Sequence, residues 1–159
     1  MEKERINKID LHKSVSINRT PEVEYEYNTA VSDLLEDNFF KLSLGDKKNT
    51  GPYELLLSIV ENRLIIDITD SSDTQKKEHI TIPITPFRRV IKDYFFICES
   101  YYKAVKDSTA QQIETIDMAR RSLHNEGADT LRDLLDPQID TDMETSRRLF
   151  TLICVLHIK

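Results

Sequence analysis

The chain has 159 residues, of which 39% are hydrophobic and 31% charged, with three glycines and five prolines; this excludes a disordered tail or fibrous repeat and suits one domain, 1–159, around a single core. Its formal charge of −6 is not relieved by a basic half, which argues against nucleic acid or an anionic membrane as partner. The start, MEKERINKIDLH, lacks an apolar signal region, and no apolar run approaches the ~20 residues of a spanning helix. The expected location is the cytoplasm.

Residues 5–11 form a short predicted strand. Thr20 and Pro21 read as the N-cap and first residue of a helix, which Val23, Tyr27, Ala30, Val31, Leu34 and Leu35 continue to about Asn38. FFKLSL (39–44), YELLLSIV (53–60), RLIIDIT (63–69) and HITIPI (79–84) are rich in β-branched or aromatic residues and predict an antiparallel meander of about four strands. Glu61 and Asn62 supply a tight hairpin, and DSSDTQKK (70–77) a longer polar connection.

From Thr85 and Pro86 the period becomes helical, with Phe87, Val90, Ile91, Tyr94, Ile97, Cys98, Tyr101, Tyr102 and Val105 on one wide face. A turn at 107–109 leads to a second, antiparallel helix, opened by a capping box of Thr109 with Gln112 or Ser108 with Gln111. It ends at Asn125 or continues through Gly127 to Leu135, and Pro137 stops it. Thr141 with Glu144 predicts a capping box for a last helix, whose LFTLICVLHI is apolar nearly all round. Such a helix belongs in the middle of this domain or of an oligomer. Strands followed by helices give an α+β fold: a meander packed by a helical hairpin and a buried C-terminal helix.

Chemistry concentrates on the helices. Arg88 and Arg89 lie in the first turn of the helix that Pro86 opens, where cations oppose the helix dipole and an anion would be welcome; the alternative is pairing with carboxylates such as Asp93. In DMARRSLHNEG (117–127), Asp117, Arg120 and His124 share the face of Ile113, Ile116, Leu123 and Leu131, and the hairpin register sets Tyr101 and Tyr94 opposite them. They form either a satisfied network or a pocket. Arg147, Cys154 and His157 share a face of the last helix. The anion-binding candidates are therefore Arg88, Arg89, Arg120, His124 and Arg147, supported by Tyr94, Tyr101 and Asp117.

Glycine-rich phosphate loops, GxSxG elbows, HExxH and paired Cys/His spacings are missing, so no cofactor or metal is expected and catalysis is left open. Cys98 and Cys154 read as buried, inert thiols, with a single bridge between them as the alternative. Phe96 stands on the polar face of the first hairpin helix, which the meander or a second copy of the chain would cover.

The segments TPFRRVIKDYFFICESYY, IETIDMARRSLHNEG and DMETSRRLFTLICVLH resemble the alphaproteobacterial uncharacterised protein family UPF0262, along essentially the whole chain. The resemblance implies a bacterial cytosolic protein and carries no activity, cofactor or catalytic residue with it. The expected function is a non-catalytic binding or regulatory module that self-associates as a homodimer or takes a protein partner. The alternative is a small-anion or phosphometabolite site, enzymatic or not, built from the Arg/His cluster.

Overall fold

The computed structural model describes residues 4–12, 20–43 and 51–157, apart from the Thr74 side chain. In chain order these form β1 (Ile6–Leu11), α1 (Pro21–Glu36), β2 (Phe40–Leu42), β3 (Tyr53–Val60), β4 (Arg63–Asp70), β5 (Asp73–Pro83), α2 (Arg88–Asp107), α3 (Ala110–Leu135), β6 (Ile139–Thr141) and α4 (Met143–His157). The class is α+β, as the sequence predicts, but the sheet is mixed. Its order is β1-β3-β4-β5, with β3, β4 and β5 antiparallel and β1 parallel to β3.

The expected fourth strand of the meander, FFKLSL, is not in this sheet. Phe40–Leu42 pairs instead with Ile139–Thr141 in a separate two-stranded ladder, and Leu44 lies outside the described residues. β1 takes the vacated edge, where Ile9 meets Leu55. The connection at 70–77 is also shorter than expected. Asp70 Oδ1 accepts the Ser72 backbone N–H (2.8 Å) and hydroxyl (2.6 Å), so the chain turns at Ser71 and Ser72 and β5 already begins at Asp73. At the other hairpin, Glu61 and Asn62 have φ of 50° and 65°, the left-handed pair of a two-residue turn matching strand twist.

Alternation gives the sheet one inward face, with Leu55, Leu57, Leu64, Ile66, Ile68, Ile80 and Ile82 all buried. Above it, α4 lies between α1 and α3 and touches β3, while α2 packs on α3. This explains an apolar helix without a polar face: Leu149, Phe150 and Leu152 through Leu156 are all buried within the one chain. No second copy is needed to cover it. Phe96, by contrast, is 71% exposed and the meander does not reach it.

Local signals set the helix ends. Thr20 Oγ1 accepts the Val23 N–H, and Thr109 with Gln112 forms the complete reciprocal capping box. At α2, Thr85–Phe87 form a single 3-10 turn, and neither it nor α2 has a side-chain cap, because the residues at the two caps, Ile84 and Phe87, carry no acceptor; Thr85 Oγ1 instead accepts the side-chain amide of Asn62 (2.9 Å). Thr141 does not cap α4. It belongs to β6, its hydroxyl meets that of Ser146 (2.7 Å), and Asp142 is the cap, accepting the Thr145 N–H at 2.8 Å. Gly127 is internal to α3, and a Cβ there would stand 2.3 Å from the Phe150 ring, so glycine allows α3 to approach α4 closely.

Candidate functional site

The helical hairpin places Asp117, Arg120 and His124 as its register predicts, on the side facing α1, α2 and α4. Arg120 donates to Asp117 Oδ1 through Nη2 (2.8 Å) and Nε (3.2 Å), and its guanidinium lies 4.7 Å from the centre of the Tyr101 ring. Its Nη1 stands 3.8 Å from Glu26 of α1, which also accepts the Tyr102 hydroxyl at 2.7 Å. Arg121 completes the pairing of Asp117 at 2.9 Å. Burial opposes the charge on Arg120, but Asp117 and Glu26 together hold its pKa above the ordinary guanidinium value. Hydrogen bonds from Arg120 hold Asp117 below the usual carboxylate range.

One turn further along α3, the His124 ring stacks on Tyr94 with centroids 5.4 Å apart. His124 Nε2 lies 2.7 Å from the Arg147 carbonyl oxygen and 2.8 Å from Thr151 Oγ1. A carbonyl can only accept, so Nε2 carries the proton and Nδ1 the lone pair. Burial pushes the imidazole pKa down, against the bond to Arg147. The ring is held neutral, as one fixed tautomer.

The other arginines are dispersed. Arg147 meets His124 only through its backbone, and its guanidinium goes to Asn125 (2.6 Å) and Glu144. Arg88 donates to Asn62, and Arg89 to Asp93 (3.0 Å) and Glu126. Arg88 and Arg89 therefore do not join Arg120 and His124, and the carboxylate pairing weighed for Arg89 is the observed one. Cys98 and Cys154 are free and buried, not bridged. Burial pushes the Cys98 thiol up to about 11 and Cys154 well above the ordinary thiol value, which keeps both protonated and poorly nucleophilic.

Beside this network runs a cleft of about 940 Å³, floored by α4 and walled by α1 and α3. His124 and Arg147 line it; Arg120 does not. The remaining charges come from Glu26 and Asp33 on α1, Glu114 and Arg121 on α3, and Glu144 and Arg148 on α4. The guanidinium groups are committed: Arg121 to Asp117, Arg147 to Asn125 and Glu144, and Arg148 to the Asp37 carbonyl (2.9 Å). Met118 lines the cleft at 61% exposure, and Tyr25, one turn from Thr29 of its wall, is 63% exposed. Among the described residues, no group of three or more His, Cys, Asp or Glu side chains is placed to hold a metal ion, and no helix is long and apolar enough to cross a membrane.

A family model for an uncharacterised protein family, UPF0262, matches residues 3–159. The chain belongs to UPF0262. Curated relatives include UPF0262 proteins of Brucella canis, 51% identical over 94% of this chain and 92% of the relative, and of Paramagnetospirillum magneticum, 47% identical over 99% and 98%. A UPF0262 protein of Sphingopyxis alaskensis is 50% identical over 98% of this chain and 94% of its own length. No solved structure matches the chain.

Sequence spacing brought out the α3 members of this UPF0262 site but missed Glu26, Thr151 and Asn125, which complete it. Glu26 lies on the face that α1 turns toward α2 and α3, but along α1 it is one of three glutamates at alternating positions, Glu22, Glu24 and Glu26. Only the Tyr102 and Arg120 contacts distinguish it. Thr151 was hidden because it sits in the apolar run of α4, where a hydroxyl reads as filler.

Proposed function

We propose that this UPF0262 chain is a single-domain cytoplasmic binding or regulatory module without catalysis of its own, and that it recognises its partner at the cleft between α1, α3 and α4. The observation that supports this is the contrast between a closed polar network and an open cleft. Inside, Asp117, Arg120 and His124 have found partners or a fixed tautomer; outside, the polar walls carry the exposed Met118, and the exposed Tyr25 lies one helical turn along α1 from Thr29 of the wall. Exposed apolar side chains beside polar ones are what a protein interface requires. A second copy of the chain is one candidate occupant.

The test is affinity capture and sedimentation with the natural chain and with Tyr25→Asp/Met118→Asp, changes at exposed positions that leave the core intact. The reading expects a captured partner or a dimer that the double variant loses. A natural chain that stays alone and monomeric, or equal capture by both proteins, counts against it. The small-anion alternative draws on Arg121, Arg147, Arg148 and His124 sharing the cleft. It requires inorganic phosphate or sugar phosphates to raise the melting temperature, and less so in Arg147→Ala. Its cost is that the anion must compete with Glu144 for Arg147.

A further inference from the structure

A second cleft, of about 470 Å³, lies on the other side of Glu26 and Thr151, between α1, α2 and α4. Its walls are mainly apolar, with Val23 from α1, Phe95 from α2 and Val155 from α4, and Tyr94, Cys98 and Cys154 behind them. Tyr94, Cys98 and Cys154 are 2%, 6% and 0% exposed. The buried thiols of Cys98 and Cys154 are only weak hydrogen-bonding groups, so this depth offers little to a polar guest. A concave apolar wall with few, converging polar atoms is the usual form of a small-molecule site.

One ion reaches the wall from the interior side. Glu26, whose side chain is 22% exposed, accepts the Tyr102 hydroxyl, but its nearest cation stands 3.8 Å away and is bonded to Asp117. The other charges are at the rim. Lys103 is 76% exposed and paired with Glu99 (3.6 Å), while Lys106 lies in the last turn of α2 and Glu22 in the first turn of α1. Solvent screens rim charges, whereas a half-buried carboxylate beside apolar surface acts in a lower dielectric. The effective charge at the apolar wall is therefore negative.

We propose that this cleft binds a small hydrophobic amine, its apolar body against Val23, Phe95 and Val155 and its ammonium paired with Glu26. A neutral head group gains only the apolar burial, and a carboxylate meets like charge at the wall. The wide cleft proposed above for a partner shares Glu26 and Thr151 with this one but not its apolar wall, so the two assignments are tested at different residues, Tyr25 and Met118 there and Val23 here.

The experiment compares hexylamine, hexanol and hexanoate at neutral pH, read by melting temperature and by the rate at which a thiol reagent labels Cys98 and Cys154 in the folded chain. Hexylamine is expected to raise the melting temperature and slow labelling, binding about tenfold tighter than hexanol, with hexanoate weakest. Glu26→Gln should remove the preference of amine over alcohol while hexanol still binds, and Val23→Phe at the cleft wall should block all three. Should Glu26→Gln lose its fold, the ranking in the natural chain together with Val23→Phe decides. No shift with hexylamine, hexanoate binding as well as hexylamine, or an amine preference that survives in folded Glu26→Gln overturns the proposal.

Discussion

His124 shows how a polar residue is admitted to an apolar stripe. The ring contributes stacking against Tyr94 and one donated proton to Arg147 and Thr151, so its neutral form is satisfied and its charged form is not. With the folded pKa below the unfolded value near 6.5, the unfolded chain binds the extra proton first as pH falls. Stability from this group is complete above about 6.5 and is lost between that value and the lower folded pKa. Asp117, held below the usual carboxylate range, acts only in more acid solution. The melting temperature should therefore fall as pH drops through about 6.5, and His124→Gln should flatten that slope while lowering the plateau. Parallel curves for the two proteins would refute this role. The α3 spacing of His124 was legible because i, i+3 and i+4 neighbours are fixed by helix geometry; which nitrogen carries the proton depends on a carbonyl of α4, which spacing cannot reveal.

At the scale of elements, ends set by neighbouring residues could be read and pairings between distant residues could not. Thr20 with Pro21 and Thr109 with Gln112 are complete within four residues, and both caps are where the sequence predicts. FFKLSL has the alternation of a meander strand, but its partner Ile139–Thr141 is only three residues long and sits between two helices, too short to signal itself. That ladder then displaces the expected cap of α4 from Thr141 to Asp142. Asp142→Ala should cost about 1 kcal/mol of stability, measured by urea unfolding, whereas Thr141→Ala should leave the Thr145 N–H bonded. A negligible effect of Asp142→Ala would show that α4 is held by its burial alone.

For the molecule as a whole, the longer of the sheet's two edge strands is β5, with 11 residues paired only with β4 among the described residues. Long edges invite further strands, and this one carries Lys76, Lys77 and His79 with Pro83 at its end, which discourages them. Lys77 and His79 are exposed on the outward face, so replacing both by Val leaves the core alone and removes the deterrent. Light scattering of Lys77→Val/His79→Val should rise with concentration above that of the natural chain; unchanged scattering would show that the charges do not guard this edge.

The place of α4 also orders events during synthesis. It is the last described element along the chain and the one on which α1 and α3 converge. As the polypeptide emerges, sheet and hairpin must wait with Phe87 and Tyr94 facing a space that Phe150 fills. Native packing is therefore postponed until α4 itself has been made, and a nascent chain stalled before Leu149 should be sticky and protease-sensitive despite having formed the sheet and the hairpin.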